Sequence, residues 1–235
     1  MSDLADAFAA AAMLIWSLDQ DLVGIVLLSL RVTLTAMAIA AVIGLPLGGA
    51  LAVFRFPGRS AILITINALM GLPPVVVGLI VYLVLSRAGP LGALGLLFTP
   101  AAMILAQAVL ITPIIAALSC QTISGLWEEY REQLQSFAAR RSDALATLLW
   151  EGRIALLTAL LAGFGRASAE VGAVMIVGGN IDHVTRVMTT TIALETSKGN
   201  LSLALGLGII LISLAMGVAG GTYALKLAAE RQRSA

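Results

Sequence analysis

The stretch "LSLRVTLTAMAIAAVIGLPLGGALAVF", Leu28 to Phe54, is apolar over a length that crosses a bilayer as one helix. About 20 such residues span roughly 30 Å of hydrocarbon. Outward from it, four more segments meet the same condition: about Ile62 to Ser86, Leu97 to Ile123, Ile154 to Gly178 and Leu201 to Leu225. Of the 235 residues 60% are apolar and only 11% charged, where a soluble domain carries about a quarter charged. The chain therefore reads as an integral membrane protein. The apolar runs are too long for barrel strands, aromatics are few, and 23 glycines suit closely packed helices. The predicted fold is all-α, one transmembrane domain of five spans over residues 1–235.

An odd number of spans puts the termini on opposite sides. With the N-terminus outside, Arg55, Arg59, Arg131, Arg140, Arg141, Arg153, Lys226, Arg231 and Arg233 fall on the cytoplasmic side, against Arg87, Arg186 and Lys198 outside. That asymmetry favours N-terminus out and C-terminus in. The N-terminal stretch lacks the basic residues of a cleaved signal, and its apolar piece, Phe8 to Leu18, is too short to span, so a helix lying at the interface is expected there. The single Cys120 sits in an apolar run and reads as a buried small hydrophobe.

Three spans hold helix breakers. "GLPLGG", Gly44 to Gly49, is expected to end the apolar core of the first, "GLPPVVVG", Gly71 to Gly78, falls inside the second, and Pro113 inside the third. A proline removes one intrahelical donor and bends the helix. Gly71, Pro73 and Pro74, with Gly172 in the fourth span, are candidates for a pathway or kink.

The fourth span carries "GFGRASAEVGAVMIVGGN", Gly163 to Asn180, with two charges at its centre. As a continuous helix it would place Arg166 and Glu170 one turn apart, spaced to pair. Buried charges cost far less when paired. Gly165, Ala169 and Gly172 would give a small-residue face beside them. Three roles fit the charges: a structural or gating pair, contact of Arg166 with a passing anion, or proton carriage by Glu170. A dianion at Arg166 would also meet Glu170, and proton relays use several acids or histidines, so the pair is the favoured reading.

The largest polar segment is Ser124 to Arg153, "SGLWEEYREQLQSFAARRSDALATLLWEGR". Leu126, Tyr130, Leu134, Phe137, Leu145 and Leu148 recur in it at largely helical spacing, an apolar stripe on a charged background. Such a helix either rests on the bilayer through Arg140 and Arg141 or fits a groove on a partner, with Tyr130, Leu134 and Phe137 as anchors. The chain has no G-x-x-x-x-G-K-[ST] loop, no dinucleotide fingerprint and no metal-spaced His or Cys cluster. It is not expected to be an enzyme, nor to hold a cofactor or metal, nor to bind nucleic acid. His183 beside Asp182 reads as a solvated loop residue, and Thr189, Thr190 and Thr191 could offer hydroxyls to an oxyanion.

The polar segment resembles the penultimate cytoplasmic loop of the permease subunits of ATP-binding cassette (ABC) importers, which carries an "EAA…G" motif forming a coupling helix. Glu132 falls on the motif's glutamate, Gln133 and Leu134 on its alanines, and Ala138 on its glycine. The resemblance covers nearly the whole chain, through "SLRVTLTA…GLPLG" and "GLPPVVVGL". "GFGRASAEVGAVMIVGGN" and "TRVMTTTIALETSKGNLSLAL", Thr185 to Leu205, are similar to the tungstate permeases, a branch of the molybdate, sulfate and tungstate group. Molybdate permeases usually show "GEFG" where this chain has "AEVG", Ala169 to Gly172.

The resemblance implies a type I importer permease in a bacterial or archaeal cytoplasmic membrane. Expected partners are a second copy of the chain, two cytoplasmic ATPase subunits, an extracytoplasmic anion-binding protein and the lipid bilayer. It places the ATPase-coupling surface on Tyr130, Glu132, Leu134, Phe137, Ala138 and Arg141. Alternatives are an ion-coupled carrier using Glu170, or an importer for molybdate or sulfate.

Overall fold

The computed structural model describes residues 19–234, together with residues 9, 12, 13, 16 and 17. The interfacial helix expected over residues 8–18 lies outside that continuous run. Among the described residues every regular element is a helix. In chain order they are α1 (Gln20–Val53), α2 (Arg59–Met70), α3 (Pro74–Leu85), a 3-10 turn (Gly92–Leu94), α4 (Pro100–Ser136), α5 (Arg141–Glu151), α6 (Arg153–Ser168), α7 (Gly172–Gly178), α8 (Met188–Lys198) and α9 (Leu201–Ser234).

Among the described residues α1, α4 and α9 are each long and apolar enough to cross a membrane alone. The pairs α2 with α3 and α5 with α6 meet the test only together, bent by 105° and 73°, which brings the total to five when each pair counts as one span. The chain divides into two compact units. The first is Met1–Ala36, Pro73–Gln107 and Ala167–Gly217; the second is Met37–Leu72, Ala108–Arg166 and Val218–Ala235.

Four sequence expectations about helix limits are corrected. First, α1 runs unbroken through "GLPLGG" with Pro46 inside it, while α4 holds Pro113 inside it as expected. One missing donor is tolerable where the glycines let a neighbouring helix pack closely. Second, "GLPP" is a full break: Leu72 and Pro73 each precede a proline and are pushed out of helical geometry. Gly71 ends α2, Pro73 is extended, and Pro74 starts α3, where a missing N–H costs nothing. Third, α4 does not stop near Ile123 but continues to Ser136 as a 37-residue helix of about 55 Å. Fourth, the span from Ile154 to Gly178 is not one helix, because α6 ends at Ser168 and α7 begins at Gly172.

In the second unit α1 crosses α4 at glycine. A Cβ on Gly48 would collide with the Ala116 carbonyl and lie 2.7 Å from Ser119 Cβ and 2.8 Å from Cys120 N. Ser119 Oγ donates across that crossing to the Leu45 carbonyl at 3.0 Å. Leu51, Ile66, Ile123, Leu148 and Leu156 form the core here, with Cys120 buried among them. Arg59 at the start of α2 donates through Nε to the Leu51 carbonyl at 2.6 Å, satisfying one of the acceptors α1 leaves at its end.

In the first unit α3 packs on α7 by the same device. A Cβ on Gly78 would stand 2.7 Å from Ala173 Cα, and one on Gly172 would stand 2.9 Å from Val75 Cγ2. A second cluster joins Leu22 of α1, Met188 of α8 and Leu207 of α9. Ser29 Oγ accepts the Met188 N–H at 2.7 Å and so tethers the start of α8 to α1.

Candidate functional site

The expected coupling segment is built differently from the single helix its periodicity suggests. Residues 124–136 are the end of α4, and the chain then turns at 137–140 before α5. Ala138 N–H donates to the Gln135 carbonyl at 2.9 Å and Ala139 N–H to the Leu134 carbonyl at 3.0 Å, while Ala138 has φ +52°. This is a Schellman helix end with alanine in the left-handed position where glycine is usual. The end of α8 uses the same bonds with Gly199 at φ +81°. An alanine in that region carries a Cβ clash of roughly 1–2 kcal/mol. Ala138→Gly should therefore raise stability by about 1 kcal/mol and slow hydrogen exchange at the Ala139 amide, while Ala138→Val should do the reverse.

The anchor assignment divides along the same line. Tyr130 and Leu134, with Leu126 and Trp127, pack partly buried against the core of their own unit. Part of the stripe thus rests on the core of its own unit. Glu132, Ala138 and Arg141 are exposed, and Phe137 is 74% exposed.

The break between α6 and α7 holds Glu170. The expected helical ridge from Arg166 to Glu170 does not form, since Ala169 turns and Glu170 is non-helical. Gly165 and Ala169 are exposed, and nothing stands within 4 Å of a Cβ on Gly165, whereas one on Gly172 would press on Val75 of α3. The physical reason lies in the carboxylate. Glu170 is only 2% exposed, and its Oε1 accepts the Ala173 N–H at 2.9 Å, serving one of the orphan donors at the start of α7. Its backbone carbonyl accepts Thr189 Oγ1 at 2.8 Å, and Gln107 Nε2 donates to the Ala167 carbonyl at 3.1 Å. Arg166 stands half-buried in the last turn of α6.

A neutral acceptor preserves most of this arrangement. Glu170→Gln should retain the bond to Ala173, whereas Glu170→Leu loses it as well and strands a buried N–H at roughly 1–3 kcal/mol. A thermal midpoint series on the two variants measures the difference. Proton carriage by Glu170 would instead make both variants equally inactive.

The three threonines are placed together but turned inward. Thr189 donates to Glu170, Thr191 Oγ1 to the Val187 carbonyl at 2.7 Å, and Thr190 Oγ1 lies 2.8 Å from Asn180 Oδ1 and 3.0 Å from the Val187 carbonyl. Thr190 also accepts the Val187 N–H at 3.2 Å. A hydroxyl has one proton to give, so an anion here would have to displace an existing bond. Their sequence signal was that of a helix start, which the apolar residues before them obscured. Of the kink candidates, Gly71, Pro73 and Pro74 make the α2–α3 break and Gly172 the close seat of α7 on α3.

No protein-family model matches the chain. It is 43% identical over 202 residues to a probable anion ABC transporter permease protein of Haloferax volcanii, covering 84% of this chain and 87% of the relative. The chain belongs to the anion ABC transporter permeases. It is also 37% identical over 226 residues to a tungstate uptake system permease protein of Peptoclostridium acidaminophilum, covering 96% and 99% of the two chains. A tungstate uptake system permease protein of Campylobacter jejuni shares 36% identity over 221 residues, covering 94% and 92%.

As a member of that family the permease is a multi-pass protein of the inner membrane. Outside its candidate spans, the permease closes the α8–α9 hinge with a carboxylate. Glu195 accepts Lys198 Nζ and Asn200 Nδ2, each at 2.9 Å, and these two bonds, the lysine's first, hold its pKa below the ordinary glutamate range. A lowered folded pKa means stability present above the unfolded value and lost as pH falls through the folded one. Hydrogen-exchange protection at Gly199 and Asn200, measured against the intrinsic rate at each pH, should therefore fall below about pH 4, and Glu195→Gln should remove that acid response.

Proposed function

We propose that the chain is the membrane subunit of an ATP-driven importer for a tetrahedral oxyanion, tungstate before molybdate or sulfate. The observation that carries the reading is likeness over nearly the full length to two tungstate uptake permeases. The sulfate and molybdenum permeases that also match do so at 24–28% identity. The chain has no phosphate-cradling glycine loop, so ATP hydrolysis belongs to a separate subunit.

The assembly we propose is a type I importer, with a single permease domain per chain. It contains two copies of this chain, two cytoplasmic ATPase subunits and an outer anion-binding protein. The basic-residue asymmetry supports N-terminus out and C-terminus in. The α4–α5 turn then faces the cytoplasm as the coupling element, presenting Glu132, Phe137, Ala138 and Arg141, with Tyr130 and Leu134 fixing it from beneath. We place Arg166 and Glu170 in the gate rather than in anion contact, since Glu170 would repel a dianion and its carboxylate already caps α7.

Proteoliposomes test this reading. The chain with its ATPase and binding protein should accumulate tungstate only when ATP is supplied to the ATPase side. Uptake by the chain alone, driven by a proton gradient, would overturn it.

A further inference from the structure

Trp127, Arg131 and Gln135 follow one another at four-residue steps near the end of α4, so one helix face presents an indole, a guanidinium and an amide in a row. Arg55 lies just beyond the end of α1, and Arg141 is the first residue of α5. With Val53 these side chains line one cavity of about 200 Å³ within the second unit. Its wall contains three arginines and no carboxylate. No ion pair within the described residues engages any of the three. The start of α5 also has no side-chain cap.

Three like charges around one cavity repel each other, and although all three arginines are exposed and water screens part of that repulsion, the buried Val53 and half-buried Trp127 form an apolar wall beside them. The arrangement becomes favourable when an anion with several oxygens enters. A tetrahedral oxyanion can accept paired N–H bonds from more than one guanidinium fork, which a single carboxylate does less well. Gln135 adds a neutral donor, and an uncapped helix start favours negative charge. We infer that this cavity, formed by Arg55, Arg131, Arg141, Trp127 and Gln135, is a binding site for a phosphate-type oxyanion. The anion is supplied either by the headgroup of an anionic phospholipid or by free inorganic phosphate. The site does not depend on the transport reading, because it is complete in one chain and needs no ATPase.

The full chain in nanodiscs tests the site and separates the two sources. In discs of phosphatidylcholine alone, inorganic phosphate is titrated by calorimetry. In discs of equal parts phosphatidylcholine and phosphatidylglycerol, native mass spectrometry counts the phosphatidylglycerol retained on the protein. Saturable binding in the first arm identifies free phosphate, and selective retention in the second identifies the headgroup. Either signal should weaken at least about tenfold in the double variant Arg55→Gln with Arg131→Gln. It should persist in Arg153→Gln, which removes a positive charge outside the cavity, and be partly restored by lysine at 55 and 131. No binding in either arm overturns the inference. So does an equal loss in Arg153→Gln, which would mark general surface charge.

Discussion

Gly48→Leu should leave no folded protein to purify, and even Gly48→Ala should lower stability by about 3 kcal/mol. Any Cβ at this position meets the Ala116 carbonyl and the Cys120 nitrogen, which are backbone atoms of α4 and cannot rotate aside. Relief would require the helices to separate, and the bond from Ser119 to Leu45 would go with their contact. In a chain of this size that loss is about 10 °C in thermal midpoint, measurable by melting the detergent-solubilised protein. Gly78→Ala should behave similarly, because its Cβ would press on Ala173 Cα. Gly24→Ala is the control in the same helix as Gly48: nothing stands within 4 Å of its Cβ, so helix propensity alone acts and stability should rise by roughly 0.5–1 kcal/mol. A mild effect at Gly48 together with a large one at Gly24 would mean that the α1–α4 crossing is misplaced.

The class of fold was legible in the sequence because hydropathy is a sum over 20 residues and tolerates local error. Segments around 28–54 and 201–225 are helices, as their uniform apolarity requires. What such a sum cannot register is a residue that prefers to end a helix. Glu170 is harmless to the average of its window, yet its carboxylate accepts the Ala173 N–H at the start of a new helix. "AEVG" could have signalled this, as an acid two residues before a glycine that can begin a helix. The extension of α4 past Ile123 had the opposite cause. Its polar residues hid the span's continuation, but Leu126, Tyr130 and Leu134 kept the helical period and packed on the same core. The arginine cavity was not legible at all, since Arg55 is far in sequence from Arg131 and Arg141 and only the tertiary fold gathers them.

The α4–α5 turn gives a second large effect of a different kind, one confined to a partner. Phe137→Asp should leave the fold intact, because Phe137 is 74% exposed and supports no core contact of note. Exposed substitutions of this sort alter stability by about 0.5 kcal/mol or less. In the assembled importer the same ring would sit in a groove of the ATPase, and a carboxylate there would be buried without a partner charge. That penalty is on the order of 2–4 kcal/mol in subunit affinity, about thirtyfold or more, so the ATPase should fail to co-purify and uptake should collapse. Leu134→Asp separates the two causes. Leu134 packs against the core of its own unit, so its aspartate variant should melt early and lose partner binding only as a consequence. An unchanged melting midpoint with lost co-purification for Phe137→Asp, against a lowered midpoint for Leu134→Asp, identifies the turn as the docking element. Normal co-purification and normal uptake by Phe137→Asp would transfer that role to the Arg55 to Arg59 loop, whose arginine already anchors to the end of α1.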